Sequence, residues 1–229
     1  MSARRVLFPI YAMNVEVARA PWAASEPMIA EMRLQWWRDA LAEIASEGPV
    51  RRHEVTTPLS KVLTPQLAAR LDACLAARRW DIYRDPFDDA EHFDHYIDET
   101  SGTLLLAAAR ALGDADETTI RQAAFAQGLA NWMCAIPELE ARGRKPLTDG
   151  RPAAVAGLAR SALDRLALAR RNRAKISPAA RPALLAVWRA GGILRQAASD
   201  PTRVAAGTLG TSEARRRFSL VARSLSGRW

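Results

Sequence analysis

A chain of 229 residues that is 49% apolar and 25% charged can bury one large core, and this balance excludes disordered, collagenous and disulfide-stapled classes. Two cysteines, Cys74 and Cys134, make neither a disulfide framework nor a zinc site, no apolar run reaches the ~20 residues that span a bilayer, and the stretch behind Met1-Ser-Ala-Arg-Arg is too short for a signal peptide, so a reducing cytoplasm is expected. The formal net charge of +8 predicts attraction to phosphates, anionic lipid or an acidic partner, while basic clusters at 142–145, 170–175 and 215–217 without interleaved aromatic residues argue against nucleic acid.

Proline punctuation sets the helix starts. Ser25-Glu26-Pro27, Thr64-Pro65, Ser177-Pro178 and Asp200-Pro201 each place an oxygen-bearing cap beside a proline, which the first helical turn tolerates. From Ser25, the residues Met28, Met32, Leu34, Trp36 and Leu41 fall in a helical pattern that Gly48-Pro49 stops. A long helix is predicted from about Asp88 to Leu112, closed by Gly113. Asp114, Asp116 and Glu117 then favour the start of another, which runs to about Ala141. Pro152 to Arg173, Pro178 to Ser199 and Ser212 to Ser224 read as further helices, with loops at 48–64, 142–152 and 200–211. No alternating strand pattern and no repeat is present. The expected fold is therefore all-α: a single helical-bundle domain over residues 1–229 with seven or eight helices.

Four segments in order carry a resemblance. Ile10-Tyr11-Ala12 begins a stretch followed by Glu31-Met-Arg-Leu-Gln-Trp-Trp-Arg-Asp-Ala-Leu41. His95-Tyr96-Ile-Asp-Glu-Thr-Ser-Gly102-Thr-Leu104 places a tyrosine ahead of a small-Gly pair. Gln127-Gly-Leu-Ala-Asn131 leads to Gly143-Arg144, and the tail runs from Arg215 to Trp229. Together they resemble the squalene/phytoene synthase family, whose bacterial members end similarly. That origin agrees with a chain in which only Lys61, Lys145 and Lys175 stand against many arginines, as in a GC-rich genome. The resemblance implies the isoprenoid synthase type of bundle and a reaction that joins two prenyl diphosphates head to head. It also implies Mg²⁺ ions held by closely spaced aspartates on two facing helices, because a departing diphosphate needs its charge neutralised by a cation with oxygen ligands.

Those aspartates have no counterpart here. Counting from Tyr11, the acidic places of the first signature hold Ala18, Arg19 and Trp22. Counting back from Gly143-Arg144, those of the second hold Ala135 and Leu139, with Glu138 as the remaining carboxylate and Pro137 expected to kink or end the helix at a cost of about 3 kcal/mol. The pattern is similar to the mitochondrial branch associated with respiratory complex I assembly, which also lacks the acidic signatures. The resemblance thus points to a non-catalytic member with no catalytic or metal-ligating residue. Such a member would need no cofactor and would bind a lipid, a prenyl diphosphate or a protein partner, with peripheral contact at the inner membrane. Tyr11, Tyr96, Gly102, Gln127 and Asn131 would line the relict pocket. Arg19, at its mouth, offers a guanidinium able to hold a phosphate bidentately without an ion.

The alternative is an active head-to-head prenyltransferase with displaced Mg²⁺ ligands. It would require Glu16, Glu138 and Glu140 to converge, although Glu16 should face away from position 18. A relocated metal site could also use Asp94 and Asp98 with His92 and His95, against which Asp88, Asp89 and Glu91 read as acids at a helix start. His53 falls in a loop without a partner nearby in sequence. Of Trp36 and Trp37, about 100° apart on a helix, one is expected to pack inward and the other to sit at a rim. Gly191-Gly192 suggests a close helix approach or a kink.

Overall fold

The computed structural model describes residues 2–23, 26–83, 85–227 and 229. Among them the regular structure is helical, apart from one isolated antiparallel bridge between Ala115 and Ile176. The helices are α1 (Ala3–Arg19), α2 (Pro27–Ala45), α3 (Thr56–Leu59), α4 (Pro65–Ala77), α5 (Trp80–Tyr83), α6 (Ala90–Ile97), α7 (Thr103–Arg110), α8 (Glu117–Ala141), α9 (Pro152–Arg171), α10 (Ala190–Ser199), α11 (Thr202–Ala205) and α12 (Glu213–Ser226). A π turn over Asp98–Gly102 joins α6 to α7 without a break. With that run taken as one helix, the described segments of eight residues or more agree with the expected bundle.

The cap at Thr64 and the acidic helix starts hold, whereas no α-helix starts at Ser177-Pro178 and the cap position of α11 is Pro201, with no side-chain cap bond. The Thr64 hydroxyl oxygen accepts from the Leu67 amide at 3.3 Å, with Pro65 in the first turn of α4. Asp89 accepts from the His92 amide at 2.8 Å, and Asp116 accepts from the Thr119 amide at 2.9 Å and its hydroxyl at 2.6 Å. Each satisfies an amide that the first turn leaves without a helical partner. The expected cap Ser25 lies outside the described residues.

Three expectations need correction. The run 178–199 is not one α-helix: residues Arg181–Val187 form a 3-10 segment and α-helix resumes only at Ala190. Pro182 withholds an amide there and Gly191-Gly192 weakens the following turn, so the tighter i to i+3 pattern wins. The loops at 48–64 and 200–211 contain the short helices α3 and α11. Pro137 does not end α8, which continues to Ala141.

The core is organised around α8. Ile120, Ala123, Phe125, Leu129, Met133 and Ile136 are buried on several sides of it, the pattern of a helix enclosed by others rather than lying at the surface. It packs against the π turn, α7, α9, α10 and α11. The closest approach is at Gly128, where an added Cβ would stand 2.4 Å from Ser101 Oγ and 2.7 Å from Ser101 Cβ. Gly191 serves the same purpose on α10: a Cβ there would meet Leu166 of α9 at 3.3 Å, whereas Gly192 faces open space. No described helix is long and apolar enough to cross a membrane.

Candidate functional site

The end of α8 explains why a Gly-Arg pair follows it. Gly143 takes a left-handed conformation, φ 76°, its amide donates to the Glu140 carbonyl at 2.8 Å, and the Arg144 amide donates to the Leu139 carbonyl at 3.0 Å. This pair of bonds is the Schellman arrangement, which glycine enters without a Cβ penalty. The reversal sends the Arg144 side chain inward, where it is 6% exposed. Its guanidinium lies over the Trp22 ring at 4.8 Å and the Trp80 ring at 5.5 Å, and it donates to the Asp81 carbonyl. The Arg142 guanidinium also lies over the Trp22 ring, at 4.7 Å. The place where the first signature would carry an acid is thus held by an indole that two cations clasp, an arrangement stabilised by the ring quadrupole.

Beneath this clasp the rings of Trp80, Phe87, Tyr96 and Trp132 pack together. Trp80 stacks on Phe87 at 4.0 Å, and Tyr96 meets Trp132 edge-on at 5.3 Å. The Trp132 indole N–H donates to the Pro146 carbonyl at 2.8 Å, which ties the loop after α8 to the cluster. The Tyr96 hydroxyl donates to Asp81 Oδ1 at 2.7 Å, and Arg78 donates to both Asp81, at 3.2 Å, and the Tyr96 oxygen, at 3.3 Å. Burial, reinforced by the Asp81 charge, holds the Tyr96 phenol well above its ordinary value. It is a structural donor here, fixed in its neutral form.

Beside the clasp opens a cleft of about 390 Å³ lined by Glu16, Arg19, Ala20, Ala23, Arg33, Trp36, Trp37 and His53. Trp37 is buried and Trp36 half-buried, as adjacent helical positions require. His53 packs edge-on against both, at 5.3 and 5.6 Å, so the loop histidine does have partners, supplied by α2. Arg19 and Glu16 sit one helical turn apart and share the cleft, whose lining does not include Ala18. Chemically this is an indole floor with two guanidinium groups: it suits an anionic head joined to an apolar group.

The remaining expected pocket residues take separate positions. Tyr11 is half-buried against the core, where desolvation pushes its phenol up to about 12. Gly102 is buried, and a Cβ there would press on Asp98 Oδ1 at 2.6 Å. Gln127 is partly buried and Asn131 is exposed on α8. Tyr96 therefore belongs to the ring cluster and Arg19 to the cleft, with Trp22 between them. Trp80, Phe87 and Arg33 gave no motif signal in the sequence. Arg144 did, through its Gly-Arg pair, but its destination did not.

Mg²⁺, which the resemblance implies, does not fit the donors present. Among the described residues no three His, Cys, Asp or Glu side chains gather where one ion could sit. Glu138 is bound to Arg142 at 2.7 Å. The alternative pair is divided between two arginines, Asp94 with Arg165 and Asp98 with Arg121, each at 2.7 Å. His92 faces the exposed Asp88 at 3.0 Å.

Residues 1–149 match the family model described as squalene/phytoene synthase. Three curated relatives are NADH dehydrogenase (ubiquinone) complex I assembly factor 6 proteins. The Drosophila melanogaster homolog is 28% identical over 143 residues, covering 58% of this chain and 43% of its own length. The Dictyostelium discoideum homolog is 27% identical over 113 residues, 48% and 32% respectively, and the Bos taurus protein is 25% identical over 157 residues, 62% and 44%. The chain thus spans less than half the length of these relatives. A dehydrosqualene synthase crystallised with a ligand superposes with a TM-score of 0.75 over 96% of this chain and 86% of that one, at 15% identity, which shows a common fold. The family match covers well over half of the chain: it belongs to the squalene/phytoene synthase family.

Proposed function

We propose that this member of the squalene/phytoene synthase family is non-catalytic. In this reading it holds an anionic lipid or prenyl ligand in the Arg19 cleft and assists the assembly of a respiratory complex through a protein partner at the inner membrane face. The observation that carries the reading is the Trp22 clasp. Where the family's chemistry calls for carboxylates facing across two helices, this chain has an indole in contact with Arg142 and Arg144. A cationic and aromatic surround attracts a diphosphate, while its scattered carboxylates, Glu16 in the cleft and Glu138 paired with Arg142, do not gather into a set that would hold the metal needed for departure. The assembly role is supported by the relatives named as complex I assembly factors.

Calorimetric titration of the full chain with farnesyl diphosphate in the presence of EDTA tests the ligand half. Saturable, metal-independent binding is expected, weakened by about tenfold or more in Arg19→Ala, the loss of one charge-assisted pair. Binding that requires Mg²⁺ would contradict the reading. Affinity purification of the tagged chain tests the partner half, with respiratory-complex subunits expected among the retained proteins. Their absence, with the cleft binding intact, would remove the assembly role alone.

A further inference from the structure

α12 is the one described helix of eight residues or more without a single buried residue, although it is built as an amphipathic element. Ala214, Phe218, Val221 and Leu225 recur at spacings of four, three and four. At 100° per residue they fall within an arc of about 60° on one face. Phe218 is 77% exposed, Val221 56% and Leu225 85%, so the stripe is bare along its length. A helix whose apolar face touches nothing in its own fold presents that face to something else.

Charge selects the occupant. α12 carries Arg215, Arg216, Arg217 and Arg223 against a single acid, Glu213. Arg215 and Arg217 flank the apolar stripe on opposite sides, placed to lay their stems along it and their heads outward. Glu213 pairs with Arg216 and Arg217 at the first turn, leaving the remainder of the helix cationic. The neighbouring surface adds to this field: burial and the nearby Arg223 and Arg195 charges together lower the pKa of Arg170. A basic rim around an apolar stripe is the pattern of a helix lying in the plane of an anionic membrane. It is a poor match for a second copy of the same helix, because the arginines flanking one stripe, Arg215 and Arg217, would then meet those flanking the other.

The helix is also held for such contact. Gly227, at φ 60°, ends it in a left-handed turn. Trp229 then returns into the core, 6% exposed, and its carbonyl accepts from Arg170 Nε at 2.6 Å. The chain just beyond α12 is thereby anchored to Arg170 of α9 while the stripe stays outward. It lies beyond the residues matched by the family model.

We infer that α12 is a peripheral membrane-binding helix, which seats Phe218, Val221 and Leu225 among acyl chains and its arginines among anionic headgroups. The inference adds a surface to the function proposed above and does not depend on the Arg19 cleft, whose ligand titration is done without vesicles. Flotation of the full chain with vesicles of phosphatidylcholine, alone or mixed with phosphatidylglycerol, provides the test. Retention is expected on the mixed vesicles only, decreasing with added salt. Phe218→Glu with Leu225→Glu should lower the partition coefficient by about tenfold or more, and Arg215→Glu with Arg217→Glu should abolish the preference for anionic lipid. Since these side chains are exposed, thermal melting of both variants should match the parent. Equal retention on both vesicle types, no retention on either, or variants that bind as well as the parent would overturn the inference. So would sedimentation showing a self-associated chain that Phe218→Glu dissociates.

Discussion

Two glycine-to-alanine substitutions should shift stability in opposite directions, although both lie inside helices. Alanine is favoured over glycine in a helix interior by about 1 kcal/mol. At Gly157 in α9 an added Cβ meets nothing within 4 Å, so Gly157→Ala should stabilise by roughly 0.5–1 kcal/mol. At Gly128 the same carbon would stand 2.4 Å from Ser101 Oγ, 2.7 Å from Ser101 Cβ and 2.9 Å from Ile97 Cγ2. The hydroxyl can rotate away, but Ser101 Cβ is fixed to the main chain of the π turn and can yield only if α8 and that turn separate. Overpacking of this kind costs about 1–3 kcal/mol. With three contacts compressed the upper part of the range applies, and after the propensity gain a net loss of about 2 kcal/mol remains. In a domain of this size that lowers the melting temperature by roughly 4–8 °C. Urea denaturation of both variants checks the signs, and a double-mutant cycle with Ser101→Gly checks the cause, with a coupling of about 1 kcal/mol or more expected. Gly128→Ala equal to or more stable than the parent would refute the tight packing inferred between α8 and the π turn.

Gly143→Ala forces an ordinary residue into the left-handed turn at φ 76°. It should cost about 1–2 kcal/mol and loosen Arg144 from Trp22, seen as a red shift in tryptophan emission. Tyr96→Phe removes the 2.7 Å donor to buried Asp81; a loss of about 1.5–3 kcal/mol in denaturant melts is expected. Asp116→Ala should cost about 1 kcal/mol at neutral pH as a lost cap. Hydrogen bonds from Thr119 hold the Asp116 carboxyl below its ordinary 3.8. Its contribution is therefore complete above that value and fades as pH falls through the lowered one, so the gap between parent and variant should narrow only at pH values below 3.8.

The bundle was legible because the signals that specify it are local. Thr64, Asp89 and Asp116 cap the helices their sequence positions assign to them, and the span of α8 followed from its acidic start. What was not legible depended on contacts between distant segments. No spacing distinguishes a π turn at Asp98–Gly102 from the α-helix on either side; it is fixed by α8 pressing Gly128 onto Ser101. The tightening at Arg181–Val187 combines Pro182 with two later glycines, each weak alone. The clasp joins Trp22 to Arg144 across more than a hundred residues, so the sequence marked Trp22 as a departure from a pattern and Arg144 as part of one without showing that they meet. His53 seemed isolated for the same reason: its partners, Trp36 and Trp37, belong to α2.

The central claim is that arginines and an indole cannot do the work of paired aspartates on a magnesium-bound diphosphate. Diphosphate release from labelled farnesyl and geranylgeranyl diphosphate, followed with the full chain in excess Mg²⁺, addresses it most directly. The account predicts no release above the protein-free background at any Mg²⁺ concentration. Mg²⁺-dependent release accompanied by a head-to-head C30 or C40 product would contradict it.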